Sequence, residues 1–531
     1  MAWETTQDSK PHEQFTDLDN ARSGYKQKCC DFADATMPSL YSGYSNTLSF
    51  TPDSEIHNAY PASALPARGI TQLAAKFSSA LIPRTNQPFV GISVRPADMA
   101  EINDNPESKQ LYLKSSKLIQ DEVYYSLSNS NLRDMLFTAF QHLQVFSTCL
   151  IKQDKLRFTV HRFDHFVITR DSLGDPQMII IREYVRKDDI PDDIREAATD
   201  QSSYSVKRQD GEFYPLYTHL KRSNDKKKWT EQQFIGNFPV PDSEETYKAN
   251  AFPYYVPRWK STLYDNYGVG LVEENYGDIL AANATRQTLL ESYSIAVSGF
   301  IGLKPGSLTP SMLAKTKNWG IVPITMDGQL TFIQPNNVSA VSAIESFDSR
   351  ITGDMRRIFM MDVAADLTHD RTTAFQVNAA KEELDLYSGG ILSTFEASAL
   401  RPIVMTTIRE LVKSKILGDE INTLVDSNDV VIDVKSGLNA LGRESQQRNV
   451  LGWITEVAQT IPNGLNVIDL DSYIRWSAAQ RGIPEIILKT PEALAEQAQA
   501  EQQAQLNQAL INQIPETGGR LLEQQAAQQQ Q

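Results

Sequence analysis

The sequence predicts an α+β protein that is predominantly α-helical. Helical character dominates after residue 267, and the first long helical stretch there contains no proline. Short runs rich in branched and aromatic residues lie between residues 157 and 260, which indicates strands. The 531 residues exceed what one hydrophobic core usually supports, so several domains are expected. The elements do not alternate regularly, which argues against a parallel βαβ array.

The composition is typical of a soluble globular protein that assembles in a reducing compartment. Apolar residues make up 41% of the chain and charged residues 22%. No window approaches about 18 uninterrupted apolar residues, so no membrane-spanning helix is expected. The N-terminus lacks the apolar region of a signal peptide. The three cysteines do not form a disulfide framework, and Cys29 and Cys149 are expected to be buried structural residues.

Residues 1–266 are predicted to form an α+β body. The polar segment 1–66 is expected to be only partly helical. Serine and asparagine residues at 128–131 separate two helices and are of the type that caps a helix N-terminus. The body elements expected are helices at 67–83, 105–128 and 131–149, strands at 90–94, 157–160, 166–168 and 178–181, and further strand-like sequence at 214–240.

A helical stalk is predicted after residue 267. One helix follows Tyr267-Gly268-Val269-Gly270 and continues to about residue 300. At about 1.5 Å per residue it would be roughly 45 Å long. An insert rich in glycine and proline follows at 302–336, with a hairpin expected around Asp327-Gly328, and a second helix returns over 337–361. A stalk of this kind is useful when several copies stand side by side and enclose something.

The rest of the chain is predicted to be mostly helical. A polar stretch at 362–372 leads into a long helix at 373–415, in which Gly389-Gly390 favour a bend because each glycine costs about 1 kcal/mol in a straight helix. Pro402 would be tolerated at a second break. A strand near 430–434 is expected to return to the body. Further helices follow, with Trp453 as a core anchor, and the Gln-rich residues 515–531 are expected to be disordered.

Several stretches resemble one known family over about residues 20–490: the portal proteins, or head-to-tail connectors, of short-tailed podoviruses of the autographivirus type. Each stretch is weakly specific alone, and their order and spacing give the resemblance its weight. They are Ala67-Arg68-Gly69-Ile70 with its continuation to Pro83, Tyr267-Gly268 followed by EENYGDI, Arg371-Thr372-Thr373-Ala374, Gly389-Gly390, and Ser436–Arg443.

The resemblance implies a phage portal fold with wing, stem, clip and crown, which assembles as a ring. It divides the chain into a wing at 1–266, stem helices at 267–301 and 337–361, a clip at 302–336, a tunnel loop at 362–372, a kinked helix returning to the wing at 373–434, a crown at 435–514 and a tail at 515–531. The resemblance further implies a closed ring of about twelve subunits around the channel. The ring would occupy one capsid vertex of the virion after assembly in the host cytoplasm.

The resemblance also implies the functional residues. The channel-lining set is Asp362, Asp366, His369, Asp370 and Arg371, together with Arg356 and Arg357; the partner-binding set of the clip is Lys315, Lys317 and Trp319; the kink is at Gly389 and Gly390. Two alternatives stay open. In one, the arginines pair across subunits with neighbouring aspartates such as Asp354, Asp362 and Asp366, with or without DNA contact. In the other, Trp319 fills a small clip core.

The implied function is a channel for double-stranded DNA during packaging and ejection. Its implied partners are the major capsid protein, scaffolding protein, terminase, a tail adaptor protein and internal core proteins, with no membrane and no cofactor. Two alternatives are a DNA-packaging enzyme of the terminase type and an architectural capsid or tail ring without DNA passage.

No enzymatic site is predicted. The chain has no G-x-x-x-x-G-K-[ST] phosphate loop, and Glu273 stands where a dinucleotide loop needs its third glycine. His161, Asp164 and His165 have metal-like spacing, but no cysteine or third histidine is near in sequence. They are therefore expected to lie on a surface strand, with both histidines on one face. No catalytic, cofactor or metal residues are assigned.

The net charge of −15 is unusual for a protein that holds DNA. Neutralisation of phosphates supplies most non-specific DNA affinity, so proteins that grip DNA are usually basic. The charge fits an ordinary acidic protein. It also fits a conduit, because tight phosphate contacts would stop a duplex from sliding.

Overall fold

The computed structural model describes residues 10–41, 60–82, 91–94, 106–192, 194–196, 206–208, 211–236, 238–262, 264–297, 300–303, 330–333, 338–361, 389–414, 430–433, 450–459, 473–474 and 477–478. The chain divides into two compact units. The first comprises residues 1–84 and 88–441, and the second comprises 85–87 and 442–531. All elements labelled below belong to the first unit.

Helices dominate both ends of the first unit. The helices are α1 (Pro11–Ala21), α2 (Ser23–Thr36), α3 (Leu65–Leu81), α4 (Pro106–Ser128), α5 (Leu132–Phe146), α6 (Leu271–Glu274), α7 (Tyr276–Val297), α8 (Val338–Ile358) and α9 (Arg401–Lys413). The first two confirm that residues 1–66 are partly helical. The bounds of α3, α4 and α5 confirm the helices predicted at 67–83, 105–128 and 131–149 to within a few residues.

The middle of the chain forms antiparallel sheets, as the β-prone runs predicted. The strands are β1 (Gly91–Val94), β2 (Leu150–Asp154), β3 (Arg157–His161), β4 (Phe166–Arg170), β5 (Pro176–Arg186), β6 (Val206–Arg208), β7 (Gly211–Arg222), β8 (Lys228–Ile235), β9 (Phe238–Pro239), β10 (Glu245–Lys248), β11 (Tyr254–Tyr255), β12 (Phe300–Leu303), β13 (Leu330–Ile333) and β14 (Val430–Asp433).

The largest sheet has seven strands. Its path is β10-β8-β7-β5-β4, with β6 beside β7 and β9 beside β8. A separate sheet has the order β11-β2-β3, and two strand pairs join β1 to β14 and β12 to β13. The β1–β14 pair confirms that the strand near residue 430 returns to the body, since Ile92 lies opposite Ile432.

Side chains along each strand of the large sheet point alternately to its two faces, and buried residues pack on each face. Ile179 and Ile181 of β5 belong to a buried cluster with Phe166 and Trp229. The intervening Ile180 lies on the other face in a cluster with Phe15 of α1. Helix α1 therefore shields the face of the sheet that the first cluster leaves open.

The polar residues between α4 and α5 divide their roles: the hydroxyl of Ser130 accepts from the first N–H of α5, that of Leu132, at 3.2 Å, which partly bears out the expected capping. Asn131 occupies the capping position without a side-chain capping bond. Its amide instead holds the backbone of Phe158: Nδ2 donates to the Phe158 carbonyl at 2.7 Å, and Oδ1 accepts from the Phe158 N–H at 2.8 Å. Asn131 thus attaches the helix to strand β3.

The first predicted stalk helix is broken and shorter than expected. It consists of α6 and α7, which meet at Asn275, and it ends at Val297 before strand β12. The Asn275 side chain donates to the carbonyl of Leu271 at 2.8 Å. Asparagine side chains compete in this way for helical carbonyls, which explains the break. Strand β13 pairs with β12, and these two strands are the first and last described parts of the insert. Residues 304–329, which contain the turn expected at Asp327-Gly328, lie outside the described part.

The returning helix ends at Ile358 in a left-handed cap. Met360 has a φ of 51°, and the N–H of Met361 donates to the carbonyl of Arg356 at 2.7 Å. This is the Schellman arrangement, which usually has glycine at the left-handed position. Lys76 of α3 donates to the Met360 carbonyl, so the cap is fixed to the body.

The long helix that follows is described from residue 389 onward. It contains a π-helical turn at Glu396–Leu400 immediately before α9. Pro402 has no N–H to offer the carbonyl one turn earlier, and the wider π-turn accommodates that missing bond. The break expected near Pro402 is therefore a π-turn within a continuing helix. A bend at Gly389-Gly390 stays a prediction, because residues 371–388 lie outside the described part.

Two smaller expectations are also settled. Cys29 and Cys149 are buried free thiols, as predicted. Trp453 is 55% exposed, so its assignment as a core anchor is wrong. No helix in the described residues is long and apolar enough to cross a membrane.

Gly69 of α3 packs directly on Phe359, and this contact gives the first testable substitution. A Cβ at Gly69 would lie 2.3 Å from Cγ of Phe359, which is fully buried. We expect Gly69→Ala to lower the free energy of unfolding: overpacking costs about 1–3 kcal/mol, against about 1 kcal/mol gained in helix propensity. Gly353→Ala is the matched control, because nothing lies within 4 Å of a Cβ there.

Thermal denaturation of the two variants measures this difference. Gly69→Ala should melt below the wild-type protein and Gly353→Ala at or above it. Equal stabilisation by both substitutions would contradict the close packing of Gly69 on Phe359.

Two buried histidines predict a loss of stability in mild acid. Burial lowers the pKa of His142 to about 4, with a further contribution from Arg162 and His165 opposed by Asp164. Burial, together with Lys221, lowers the pKa of His219 to about 4. The unfolded chain has the ordinary histidine pKa of about 6.5, so it takes up these protons first.

Stability should therefore fall as the pH drops from about 6.5 to about 4, by roughly 3 kcal/mol for each histidine. Melting temperatures of the wild-type protein and His142→Gln across this range provide the measurement. The variant should have the shallower slope. Identical slopes would mean that His142 is not held neutral in the folded protein.

Candidate assembly and channel surfaces

The stalk helices leave the body at a junction built around a buried arginine. Arg22 is 6% exposed and lies between α1 and α2. Its Nη2 donates to Asp19 Oδ1 at 2.8 Å, and its Nη1 donates to the carbonyl of Phe163 at 2.7 Å and to the Tyr267 hydroxyl at 3.1 Å. Arg22 thus connects the N-terminal helices, the turn before β4 and the segment that leads into the stalk.

The charges at this junction compensate one another. Burial alone would raise the pKa of Asp19, but Arg22 and Lys26 hold that pKa below its usual value. Lys26 donates to the second carboxylate oxygen of Asp19 at 2.7 Å. Removing one partner of such a buried group leaves an uncompensated charge, which costs about 3–5 kcal/mol.

Aromatic stacking completes the junction. Tyr25 of α2 stacks on Tyr267 with ring centroids 4.4 Å apart and an angle of 18° between the planes. The Tyr25 hydroxyl also donates to the carbonyl of Phe146 at the end of α5. Tyr267 is therefore held by its stack on the Tyr25 ring and by the hydrogen bond that its hydroxyl accepts from Arg22.

The two glycines after Tyr267 allow the chain to pass close to the body. A Cβ at Gly268 would lie 2.7 Å from the carbonyl O of Lys260. A Cβ at Gly270 would lie 2.9 Å from the carbonyl O of Gln144. Any larger residue would displace backbone at both positions. The pattern Tyr267-Gly268-Val269-Gly270 thus has a packing explanation.

Polar contacts then fix the first turns of the stalk against α2 and against the segment that precedes α3. Asn283 of α7 accepts from the N–H of Ser63 at 3.0 Å and donates to the carbonyl of Ala35 at 2.9 Å. Lys28 of α2 pairs with Glu273 of α6 at 3.1 Å. The N-terminal half of α7 is therefore attached to the body.

Helices α7 and α8 form an antiparallel hairpin. Arg286 pairs with Asp348 at 3.1 Å, and the Tyr293 hydroxyl donates to Glu345 further along. The β12–β13 pair continues the same antiparallel arrangement beyond the helices. Leu289 is 6% exposed, and Met355 near the base is fully buried.

The hairpin carries large apolar side chains that a single chain leaves exposed. Leu290 of α7 is 60% exposed and Phe347 of α8 is 51% exposed. Leu280 and Tyr293 are also more than 40% exposed. The Arg286–Asp348 ion pair and the Tyr293–Glu345 hydrogen bond place Leu290 and Phe347 at a similar height on the hairpin. Large apolar side chains exposed at several positions of one hairpin are typical of a surface that another protein covers.

The channel candidates Arg356 and Arg357 are exposed at the C-terminal end of α8. Arg357 lies 3.7 Å from Asp354 of the same chain, and both are at least half exposed. The structure thus supplies an intrachain partner for Arg357, which differs from the pairing across subunits considered above. Pairs this exposed contribute little to stability.

The remaining candidate residues are divided between described and undescribed parts. Gly389 and Gly390 are helical, and a Cβ at either would meet nothing within 4 Å. Packing therefore does not require glycine at this site. The candidates outside the described residues are Asp362, Asp366, His369, Asp370, Arg371, Lys315, Lys317 and Trp319.

The group with metal-like spacing is neither a metal site nor a surface strand. His161 ends β3, and residues Phe163–His165 form a 3₁₀ turn, so the expected shared strand face is wrong. Asp164 is 6% exposed and accepts two hydrogen bonds from Arg162. In the described part of the chain, no three His, Cys, Asp or Glu residues are placed to hold a metal ion.

Sequence reasoning missed the Arg22 junction. The local signal was present, because Asp19, Arg22 and Tyr25 recur at three-residue spacing and so share a helix face. Their long-range partners Phe163 and Tyr267 carry no pattern that connects them to this face. The spacing identifies a candidate arginine but not its role.

Comparisons with known proteins agree on one family. The family model described as bacteriophage head to tail connecting protein matches residues 9–488. The portal protein of Escherichia phage T7 is 22% identical over 448 residues, with 82% of this chain and 80% of that protein covered. The portal protein of Enterobacteria phage SP6 is 22% identical over 504 residues, with 93% of each covered.

A solved structure from the neck of an empty gene transfer agent particle is also similar. It covers 76% of this chain and 88% of its own, at 10% identity and a TM-score of 0.36. That likeness is too distant to support an argument about function. The family match spans most of the chain, and this protein therefore belongs to the bacteriophage head to tail connecting proteins.

Proposed function

We propose that this chain is a subunit of a portal ring at one vertex of a phage capsid, and that double-stranded DNA passes through the ring during packaging and ejection. The observation that carries this proposal is the α7–α8 hairpin, which is firmly attached to the body and carries exposed apolar side chains. Neighbouring copies of the same hairpin are the natural cover for them. In a closed ring of about twelve such subunits, the exposed side chains of every hairpin are covered in the same way.

The channel assignment extends from the hairpin. Arg356 and Arg357 are exposed where α8 ends, and the segment 362–372 follows directly. We infer that this segment is the tunnel loop and lines the narrowest part of the bore. Its candidate residues, Asp362, Asp366, His369, Asp370 and Arg371, would contact the duplex without holding it, because their charges are mixed.

The proposed role is structural and not enzymatic. Capsid and scaffolding proteins would contact the outside of the ring, and internal core proteins the crown. Terminase and later a tail adaptor would dock at the clip through Lys315, Lys317 and Trp319. Family membership weighs against the alternative of a terminase-type enzyme. The tunnel-loop experiment below distinguishes the proposed DNA channel from the other alternative, a ring without DNA passage.

Introducing negative charge at exposed apolar positions of the hairpin tests ring assembly. We expect Leu290→Glu with Phe347→Glu to leave the fold intact, because both side chains are exposed within one chain. Each apolar side chain buried between subunits would contribute about 1.5–3 kcal/mol, so the variant should not form rings at concentrations where the wild-type protein does. Leu173→Glu is the matched control, since Leu173 is 79% exposed in a turn of the body.

Light scattering gives the mass of each variant, and circular dichroism gives its secondary structure. Rings of normal mass from the double variant would exclude the hairpin from the subunit interface.

Reversing two charges in the proposed tunnel loop tests DNA passage. Asp366→Lys with Asp370→Lys would replace two negative rings by two positive ones. Non-specific DNA affinity should rise and depend more steeply on salt, because each new phosphate contact releases counterions. Assembly should be unchanged, since a loop that faces an open channel contributes few buried contacts.

The measurement is DNA binding by purified rings across a salt series, together with the yield of DNA-filled particles. Filled particles should become fewer as the duplex is held. Unchanged affinity and salt dependence would mean that these residues do not face DNA.

A further inference from the structure

A cleft in the body lies beside strand β10. Its volume is about 700 Å³. One wall consists of β10 and the turn that follows it. The other walls are the last turns of α9, with Arg409, Glu410 and Lys413, and the β2–β3 turn, with Lys155.

Hydrogen bonds at the end of β10 show which of its backbone groups face the sheet. β10 pairs with β8 in antiparallel register, and in the continuation of that register the N–H of Ala249 donates to the carbonyl of Lys227 at 2.8 Å. Bonded and non-bonded pairs alternate along antiparallel strands, so the odd-numbered residues of β10 bond to β8. The N–H and C=O groups of Thr246 and Lys248 therefore point away from the sheet.

The other edge of β8 confirms this assignment. The N–H of Ser223 donates to the carbonyl of Lys228 at 2.9 Å, in register with the β7–β8 pair. The even-numbered residues of β8 therefore bond to β7, and its odd-numbered residues remain for β10. Both ladders give the same alternation.

β10 is an edge strand within the described sheet, since it ends the strand path. A row of outward N–H and C=O groups is a template for another extended chain. Here the template lies along a cleft of about 700 Å³ whose lining includes all four residues of β10. The four residues of β10 extend over roughly 13 Å, which is the length of a short paired segment. Strand addition of this kind is a common mode of peptide recognition.

The cleft is positively charged relative to the rest of the molecule. Its lining carries four cations and three carboxylates, in a chain whose net charge is −15. Lys413 pairs with Glu410 at 2.7 Å, which neutralises that carboxylate. Arg409 donates to a backbone carbonyl, that of Asn250, and keeps its full charge.

Lys155 and Lys248 complete the positive surface. Neither has an ion-pair partner within the described residues. The opposing carboxylates are Asp154 and Glu245, and Glu245 already accepts a hydrogen bond from the Tyr247 hydroxyl. The unneutralised cations thus outnumber the unneutralised carboxylates, so charge complementarity selects an acidic occupant.

We propose that the cleft between β10 and α9 binds an extended, acidic peptide segment of a partner protein, which adds a strand to the edge of β10. The outward groups of Thr246 and Lys248 supply the main-chain bonds. Lys155, Lys248 and Arg409 supply the preference for acidic side chains. This docking site is separate from the proposed clip surface and does not depend on the passage of DNA.

A labelled nonapeptide of alternating valine and glutamate is the probe, and fluorescence anisotropy with the full-length chain is the measurement. Thr246→Pro removes one outward N–H without touching the bonds to β8, and proline is tolerated at such edge positions. It should weaken binding about tenfold or more, which corresponds to about 1.4 kcal/mol. Thr246→Val keeps the N–H and should bind like the wild-type protein.

Two further arms separate main-chain pairing from charge. A peptide N-methylated at alternate residues cannot pair fully and should bind about tenfold more weakly to the wild-type protein, without any protein variant. Lys155→Glu with Lys248→Glu should weaken binding and reduce its salt dependence. Lys10→Glu with Lys221→Glu, a charge reversal away from the cleft, should change neither.

Three outcomes would overturn the proposal. The wild-type chain could bind the acidic peptide no better than a valine–lysine peptide. Thr246→Pro and the N-methylated peptide could bind as tightly as their controls. Thr246→Pro could change the oligomeric mass of the protein and not peptide binding, in which case a second copy of the chain occupies the edge.

Discussion

The buried charge of Arg22 is the interaction on which the arrangement of this molecule depends. A guanidinium inside a protein must find compensating partners, and here one is local, Asp19, and two are distant in the chain, the Phe163 carbonyl and Tyr267. Satisfying one side chain therefore fixes the N-terminal helices, the start of the large sheet and the base of the stalk relative to one another. The stalk direction follows from this junction.

Close backbone packing reinforces that constraint. Gly268 and Gly270 let the chain pass against the body at the base of the stalk, and Gly69 lets α3 lie on Phe359 where the stalk returns. Both ends of the hairpin are thus attached through positions that tolerate no side chain. A rigid base allows the exposed apolar residues of the hairpin to be presented to a neighbour in one fixed orientation.

Local elements could be predicted from the sequence because they depend on local chemistry. The β-prone runs at 166–168 and 178–181 became β4 and β5, and the strands at 90–94 and 430–434 exist. That the last two pair with each other is a long-range fact with no local pattern. The break at Asn275 and the role of Asn131 depend on which backbone group a short polar side chain reaches, and residue type alone does not decide this.

The candidate site was predictable in outline only. The antiparallel α7–α8 hairpin agrees with the sequence, whereas the channel role of Arg356 and Arg357 stays a prediction. The ion-pair partner of Arg357, Asp354, lies one turn away in the same helix. The cleft beside β10 brings together strand, turn and helix segments that are far apart in the chain. The cations of this cleft are far apart in the sequence, and they come close together only in the folded chain.

Electron microscopy of the purified wild-type protein in negative stain tests the central claim most directly. The account predicts uniform annular particles with a central opening and a narrower stalk, because the exposed face of each hairpin is covered by its neighbour. A population of single chains, at concentrations where the protein is folded, would contradict the ring and the function built on it.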